Sequence, residues 1–234
     1  MPRSGVPYEK QIEALMEISQ AISSDLYLED ILKLIVTVTA NVMQSKVCSL
    51  WLLDENSKVL RIRATQTMNP EYLKERSLRI GEGVVGYVAQ EKKPAIILDV
   101  LKEPRFKEKE LARNMGLCSM LSVPMRVKER VIGVINCYTS TPHRFTETEL
   151  ALLTTVANQA AVCIENTELM VKSKVIQEEL ESRKLVEKAK GILMKQHGLD
   201  EESAFGRIRK KSMDSRKTMR EIAEAIILAH EIQE

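Results

Sequence analysis

The apolar positions change their period twice along the chain. In 8–22, Ile12, Leu15, Met16, Ile18 and Ile22 recur close to helical spacing; in 28–43, Ile31, Leu32, Leu34, Ile35 and Val38 do the same. Two amphipathic helices are expected there. The pattern then shifts. "KVCSLWLLDENSKVLRIRAT" reads as strand, turn, strand, with "ENSK" as the turn. "IGEGVVGYVAQEKKP" carries glycines at 81, 83 and 86 and runs into a short helix before Pro94. "AIILDV" predicts a buried strand, "EPRFKEKELARNMG" a loop and a helix stopping at Gly116, and "SMLSVPMRVKERVIGVINCYT" a long hairpin turning at 128–130. Helices, then strands with interspersed helices, then helix again predict an α+β domain: a mostly antiparallel sheet flanked by helices.

From Thr146 to Lys190 there is neither Gly nor Pro. As one helix these 45 residues would reach roughly 68 Å. Leu153, Ala157, Ala160, Ile164, Thr167 and Val171 step by threes and fours, followed by Val175, Ile176, Leu180 and Val186 among charges. A single helix cannot bury such a stripe alone. A parallel two-stranded coiled coil, and hence a homodimer, is expected. The other reading packs the helix on its own sheet to about residue 168 and leaves a linker. Beyond it, residues 183–232 fit three short helices, a small all-α domain. The first ends at Gly198. The second is capped by Asp200 and buries Ala204, Phe205 and Ile208. The third is capped by Asp214 or Ser215 and buries Met219, Ile222, Ala223, Ile226 and Ile227.

Composition narrows the class. With 44% apolar and 29% charged residues, the chain has material for a real core. No apolar run approaches the roughly 20 residues that span a bilayer, and the first 30 residues carry no secretory pattern. A cytoplasmic protein without a membrane partner is expected. Cys48, Cys118, Cys137 and Cys163 lie far apart and read as reduced, mostly buried thiols; a thiol-reductase reading would need Cys118 and Cys137 to converge with another Cys. His143, His197 and His230 are scattered, and no Ser/His/Asp set, metal-ligand cluster or nucleotide loop is visible. The three early glycines fit neither the P-loop nor the dinucleotide fingerprint, so turn chemistry explains them, and no enzyme is expected.

Charge changes the picture more. The net +2 is unevenly spread: residues 183–220 hold 12 Lys/Arg against 5 Asp/Glu, residues 221–234 hold four Glu and no Lys/Arg, and 1–182 are nearly balanced at 23 against 24. A short basic block points to an anionic partner. On the first of the three helices Lys184, Lys188, Gly191 and Lys195 share one face, opposite Val186, Ala189 and Leu193, with Lys190 beside them. Like charges so spaced repel until an anion arrives. Gly191 permits close backbone approach there, or serves helix packing. The second helix ends in "RIRKKS", with Arg209 and Lys210. Arg216, Lys217 and Arg220 are expected in the first turns of the third helix, against its dipole, which suits a bound phosphate.

Residues 8–170 resemble a GAF domain, through "IGEGVVGYVAQEKKPAIILDV", "SMLSVPMRVKERVIGVINCYT" and "RFTETELALLTTVANQAAVCIENTEL". GAF domains are mostly small-molecule sensors or dimerisation modules, and the resemblance names neither ligand nor cofactor. The cyclic-nucleotide branch carries Asn-Lys, then Phe, three residues and Asp-Glu. Here Cys137 follows Asn136, and Phe145 is followed after three residues by Glu149-Leu150, which argues against cyclic nucleotides. Three His and 4% aromatics argue against a bilin.

"SRKLVEKAKGILMKQHGLDEESAFGRIRKKSMDSRKTMREIAEAII" resembles an ANTAR domain, the RNA-binding module of bacterial transcription antiterminators, over 182–227 without gaps. The resemblance implies a three-helix domain that binds nascent RNA as a dimer, at paired stem-loops with six-nucleotide loops. Binding keeps a terminator hairpin from forming, under control of the sensor ahead of it. The expected organisation is a GAF sensor at 1–168, a connecting coiled-coil helix at 169–182 and an ANTAR domain at 183–234. The expected RNA surface comprises Lys184, Lys188, Lys190, Gly191, Lys195, Arg209, Lys210, Ser212, Ser215, Arg216, Lys217 and Arg220. With Phe205 assigned to the core, Arg planes and polar contacts would read the RNA rather than aromatic stacking. A DNA-binding helix-turn-helix regulator is the alternative, because three small helices with a basic third also fit it.

Overall fold

The computed structural model describes residues 7–24, 26–73 and 76–232. The chain divides into two compact units, Met1–Thr167 and Glu168–Glu234. In the first, α1 (Tyr8–Ile22) and α2 (Leu28–Val42) precede a six-stranded antiparallel sheet. Its strands are β1 (Val47–Asp54), β2 (Val59–Thr65), β3 (Ser77–Arg79), β4 (Ala95–Ile97), β5 (Met120–Val127) and β6 (Arg130–Tyr138), in the spatial order β3-β2-β1-β6-β5-β4. Between them lie α3 (Pro70–Leu73), α4 (Gly83–Glu91) and α5 (Lys109–Met115), and α6 (Glu147–His197) follows β6.

The central strands read as unbroken apolar runs because both sheet faces are covered. Cys48, Leu50, Leu121, Val123, Ile135 and Cys137 pack with α1, α2 and the start of α6; Val47, Trp51, Met120, Val134 and Tyr138 pack with α4 and α5. Alternation along each strand sorts them. The early glycines do serve turn chemistry. Gly81 and Gly83 have positive φ, and a Cβ on Gly86 would lie 2.2 Å from the Arg79 carbonyl, so only glycine lets α4 close onto that turn. On the same sheet face Ser122 Oγ donates to Asn136 Oδ1 at 2.6 Å and the Tyr72 hydroxyl donates to Ser49 Oγ at 2.9 Å; burial pushes the Tyr72 phenol up to about 12.

The structure departs from these expectations in three places. The strand in "AIILDV" is only Ala95–Ile97, at the sheet edge, with Ile96 exposed. α3 and β3 carry too few residues to show a period, and sequence reading misses both. Leu153, Ala157, Ala160 and Ile164 are buried in the core of the first unit, so they form no free seam. The four cysteines are free thiols, three of them buried, as expected; Cys137 lies opposite Cys48 across β1 and β6, both fully buried. Burial and the neighbouring Cys137 thiol push the Cys48 thiol well up, which disfavours the reactive thiolate. Among the described residues no cluster of three or more His, Cys, Asp or Glu could hold a metal ion.

The second unit comprises α6 from Glu168 on, α7 (Glu201–Ser215) and α8 (Met219–Glu231). Its core is Val186, Ala189, Ile192, Leu193, Ala204, Ile208, Ile222, Ala223 and Ile227. Gly198 follows α6 with φ of 62°, and the Asp200 carboxylate caps α7 by accepting from the Ser203 N–H at 2.8 Å. The cap of α8 is Thr218, in a reciprocal capping box with Glu221. Asp214 and Ser215, the caps expected for this helix, lie inside α7. Among the described residues no helix is long and apolar enough to cross a membrane.

Candidate nucleic-acid interface

The second unit turns its core-facing stripe inward and leaves a basic exterior. On α6 the small and branched residues Val186, Ala189 and Leu193 are buried, which places Lys184, Lys188 and Lys195 outside on the opposite side. Gly191 lies among them, and a Cβ built on it meets no atom within 4 Å. Packing therefore does not require this glycine. A mid-helix Gly costs about 1 kcal/mol relative to Ala, and no close approach to its Cβ position among the described residues offsets that cost. Lys188 reaches Glu231 at 2.9 Å, an exposed pair of small value, whereas Lys184 and Lys195 have no partner among the described residues.

Lys190 is placed differently from its neighbours. It is only 6% exposed, and its ammonium donates to Glu187 and Glu201, each at 2.8 Å. The hydrogen bond to Glu187, then that to Glu201, raises its pKa, and the bond from Lys190 lowers that of Glu201. This ammonium ties α6 to the first turn of α7 and offers no free charge to a ligand. On α7, Arg209 and Lys210 are exposed and have no carboxylate partner among the described residues. Phe205 is not a core residue: Ala204 and Ile208 take the inward positions, and Phe205, about 100° further round, is 41% exposed one turn before Arg209. Sequence periodicity held the signal, since Phe205 is adjacent to Ala204 rather than three or four residues from it.

The turn between α7 and α8 also differs from expectation. Arg216 adopts φ of 54°, and the N–H groups of Arg216 and Lys217 bond the Met213 and Ser212 carbonyls in a Schellman arrangement. Ser212 Oγ donates to the Lys217 carbonyl at 2.6 Å and Ser215 Oγ to that of Lys211. Both hydroxyl protons are thus used within the turn. Arg216 and Lys217 follow the C-terminal end of α7, where cations suit the dipole, and only Arg220 lies in the first turn of α8, paired with Glu224 at 2.9 Å and with Glu181 at 3.9 Å. The inverted charge pattern expected at the third helix is absent. What remain exposed are Lys184 and Lys195 on α6, Arg209 and Lys210 on α7 and Arg216 and Lys217 in the turn, with the exposed ring of Phe205 one turn before Arg209.

Family profiles match the chain twice, as "GAF domain" over residues 27–164 and as "ANTAR domain" over 174–227. The chain belongs to the GAF family and carries an ANTAR domain. The GAF part is similar to the "Phosphoenolpyruvate-dependent phosphotransferase system" protein of Escherichia coli (strain K12), 26% identical over 155 residues, covering 66% of this chain and 21% of that protein. It is also similar to a "Nif-specific regulatory protein" of Herbaspirillum seropedicae, 26% identical over 153 residues, covering 63% of this chain and 28% of that protein. The ANTAR part is 48% identical over 52 residues to the "Transcriptional regulatory protein PdtaR" of Mycobacterium tuberculosis, covering 22% of this chain and 25% of that protein. The chain thus spans about a fifth to just over a quarter of the length of these relatives. Among solved structures, the GAF domain of an Acinetobacter phosphoenolpyruvate-protein phosphotransferase superposes with TM-score 0.61 at 30% identity, covering 69% of this chain and 97% of that one. A GAF domain from Coxiella burnetii reaches TM-score 0.65 at 24% identity over 70% and 98% of the two chains, which shows the fold alone.

Proposed function

We propose that the protein is a signal-responsive regulator of transcription antitermination: the GAF unit senses a small molecule, and the ANTAR unit binds tandem hairpins in nascent RNA and so prevents terminator formation. It acts by binding rather than by catalysis. The carrying observation is the set of exposed cations on the ANTAR unit: Lys184, Lys195 and Arg209 have no partner among the described residues, and Gly191, on the lysine-bearing face of α6, is not needed for packing. Each cation neutralising a phosphate releases counterions, which drives association. Phe205 beside Arg209 supplies a stacking surface for an unpaired loop base, and duplex DNA offers no such base. Lys190 acts as a structural tie rather than a contact. The protein works as a homodimer, matching two hairpins with two ANTAR units.

Binding to a tandem-hairpin RNA, with duplex DNA of equal length as competitor, tests this. Lys184→Glu, Lys195→Glu and Arg209→Glu should each weaken RNA binding and make the log–log salt slope shallower by about 0.7–0.9 per lost phosphate contact. Lys58→Glu, in the GAF unit, should do neither. Phe205→Ala should lose about 1–3 kcal/mol, the range for one base stacked on an aromatic ring, with little change in slope. Duplex DNA that competes as well as hairpin RNA would instead establish the DNA-binding reading, and unchanged affinity in all the charge variants would exclude this surface.

A further inference from the structure

A second cationic site lies within the GAF unit. β4 pairs only with Met120–Ser122, so from Val123 to Val127 this side of β5 has no strand partner among the described residues. A cleft of about 330 Å³ opens over that bare edge. Pro94 and Pro124 line it, and Pro124 has no N–H for a further strand to pair with. Three cations converge on it, Lys92, Arg126 and Lys128, and no carboxylate lines it. Residues 1–182 as a whole are close to charge balance, 23 Lys/Arg against 24 Asp/Glu, so this convergence is local.

Three details show how the cations are aimed. The β5–β6 register shifts between Met125 and Arg126, so Arg126 sits at a bulge beside the cleft. Lys92 and Lys128 both hold left-handed backbone, φ of 57° and 54°, at positions where Gly or Asn is the usual choice. Arg126 spends one terminal N–H on Glu129 at 3.1 Å, while its Nε is buried without a partner; Lys92 spends one of three donors on the Glu129 carbonyl at 2.8 Å. Lys128 has no partner among the described residues. The fourth wall is α6, through Thr154 and the exposed Asn158 amide.

We propose that this cleft binds a small phosphorylated metabolite, its phosphate dianion held by Arg126, Lys128 and Lys92 and its polar remainder by Asn158. Three positive charges with donors to spare match a dianion better than a carboxylate, and the volume admits a small molecule but no macromolecule. One wall belongs to the helix that continues to the ANTAR unit, so occupancy bears on that helix directly; this regulatory consequence rests on the function proposed above, whereas the binding does not.

The test titrates the full chain with inorganic phosphate at constant ionic strength, following backbone amide NMR shifts and melting temperature. Saturable shifts at Lys92, Arg126, Lys128 and Asn158, with a rise in melting temperature, are expected. Arg126→Gln with Lys128→Gln should weaken binding at least tenfold. Glu129→Gln, which removes the carboxylate on Arg126, should tighten it and so controls for folding. Shifts that never saturate, that saturate only on 184–217, or that persist in the double variant overturn the site. Acetate binding as tightly as phosphate overturns the ligand class. Phosphate binding that leaves RNA affinity unchanged upholds the site and removes only its regulatory link.

Discussion

Gly191 is the sharpest case of a single residue chosen against stability. Its site is helical, solvent-facing and empty, so Ala would fit without moving an atom. Gly191→Ala is therefore expected to stabilise the ANTAR unit by about 1 kcal/mol, read as a higher denaturation midpoint. If RNA backbone approaches this face closely, the same methyl group should weaken hairpin binding. A variant that gains stability and keeps full affinity would show that the glycine has no role in binding. Sequence spacing identified the lysine face because a helix fixes which residues share a side. It misread Lys190, which lies on the flank of that face. Its partner Glu201 is brought near by the turn at Gly198, and neither spacing nor composition encodes that closure. Phe205 differs from its expected place for a related reason: size suggests the core, while its phase on α7 puts it outside.

At the scale of elements, apolar periodicity shows that a helix has a buried face but not what buries it. The stripe on α6 divides accordingly. Its first part, Leu153 to Ile164, is covered by the GAF sheet and helices. Further on, Leu169, Ile176 and Leu180 are exposed at alternating steps of seven and four, with Ser173 completing a heptad seam. A second copy of α6 is the expected cover. Leu169→Asp with Ile176→Asp should convert a dimer to a monomer in sedimentation velocity at micromolar concentration, because burying unpaired charge in the seam costs several kcal/mol. A wild-type monomer, or a variant that stays dimeric, would exclude this seam. Capping follows the same logic. Asp214, Ser215 and Thr218 are all acceptable caps, but only Thr218 has Glu221 three residues on, and that reciprocal pair fixes where α8 starts. The dipole argument built on an earlier start falls with it.

For the whole molecule, the proposed function requires that a ligand in the GAF unit alter RNA binding by the ANTAR unit. α6 runs unbroken from Glu147 to His197, with no Gly before 191 and no Pro. It carries Thr154 and Asn158 in the GAF unit and Lys184 to Lys195 in the ANTAR unit. A change in rotation or register of such a helix has no hinge in which to dissipate. The ligand can drive the change only as far as it prefers one state: a swing from 1:99 to 99:1 needs about 5.5 kcal/mol of differential affinity. Replacing Ile176–Gln177 by Gly-Gly places two helix-weakening residues where α6 makes no core contact in either unit. Each unit should keep its own melting transition, and the variant should still bind hairpin RNA. What should vanish is the difference in RNA affinity measured with and without inorganic phosphate. The two substitutions also touch the seam, so the comparison is made at protein concentrations where sedimentation shows the variant and the wild type in the same state of association. If the Gly-Gly chain keeps the full phosphate-dependent difference, helix transmission is wrong. Control would then have to come from the GAF unit covering the basic surface around Lys184 and Arg209, and RNA affinity should rise when the ANTAR unit is cut free.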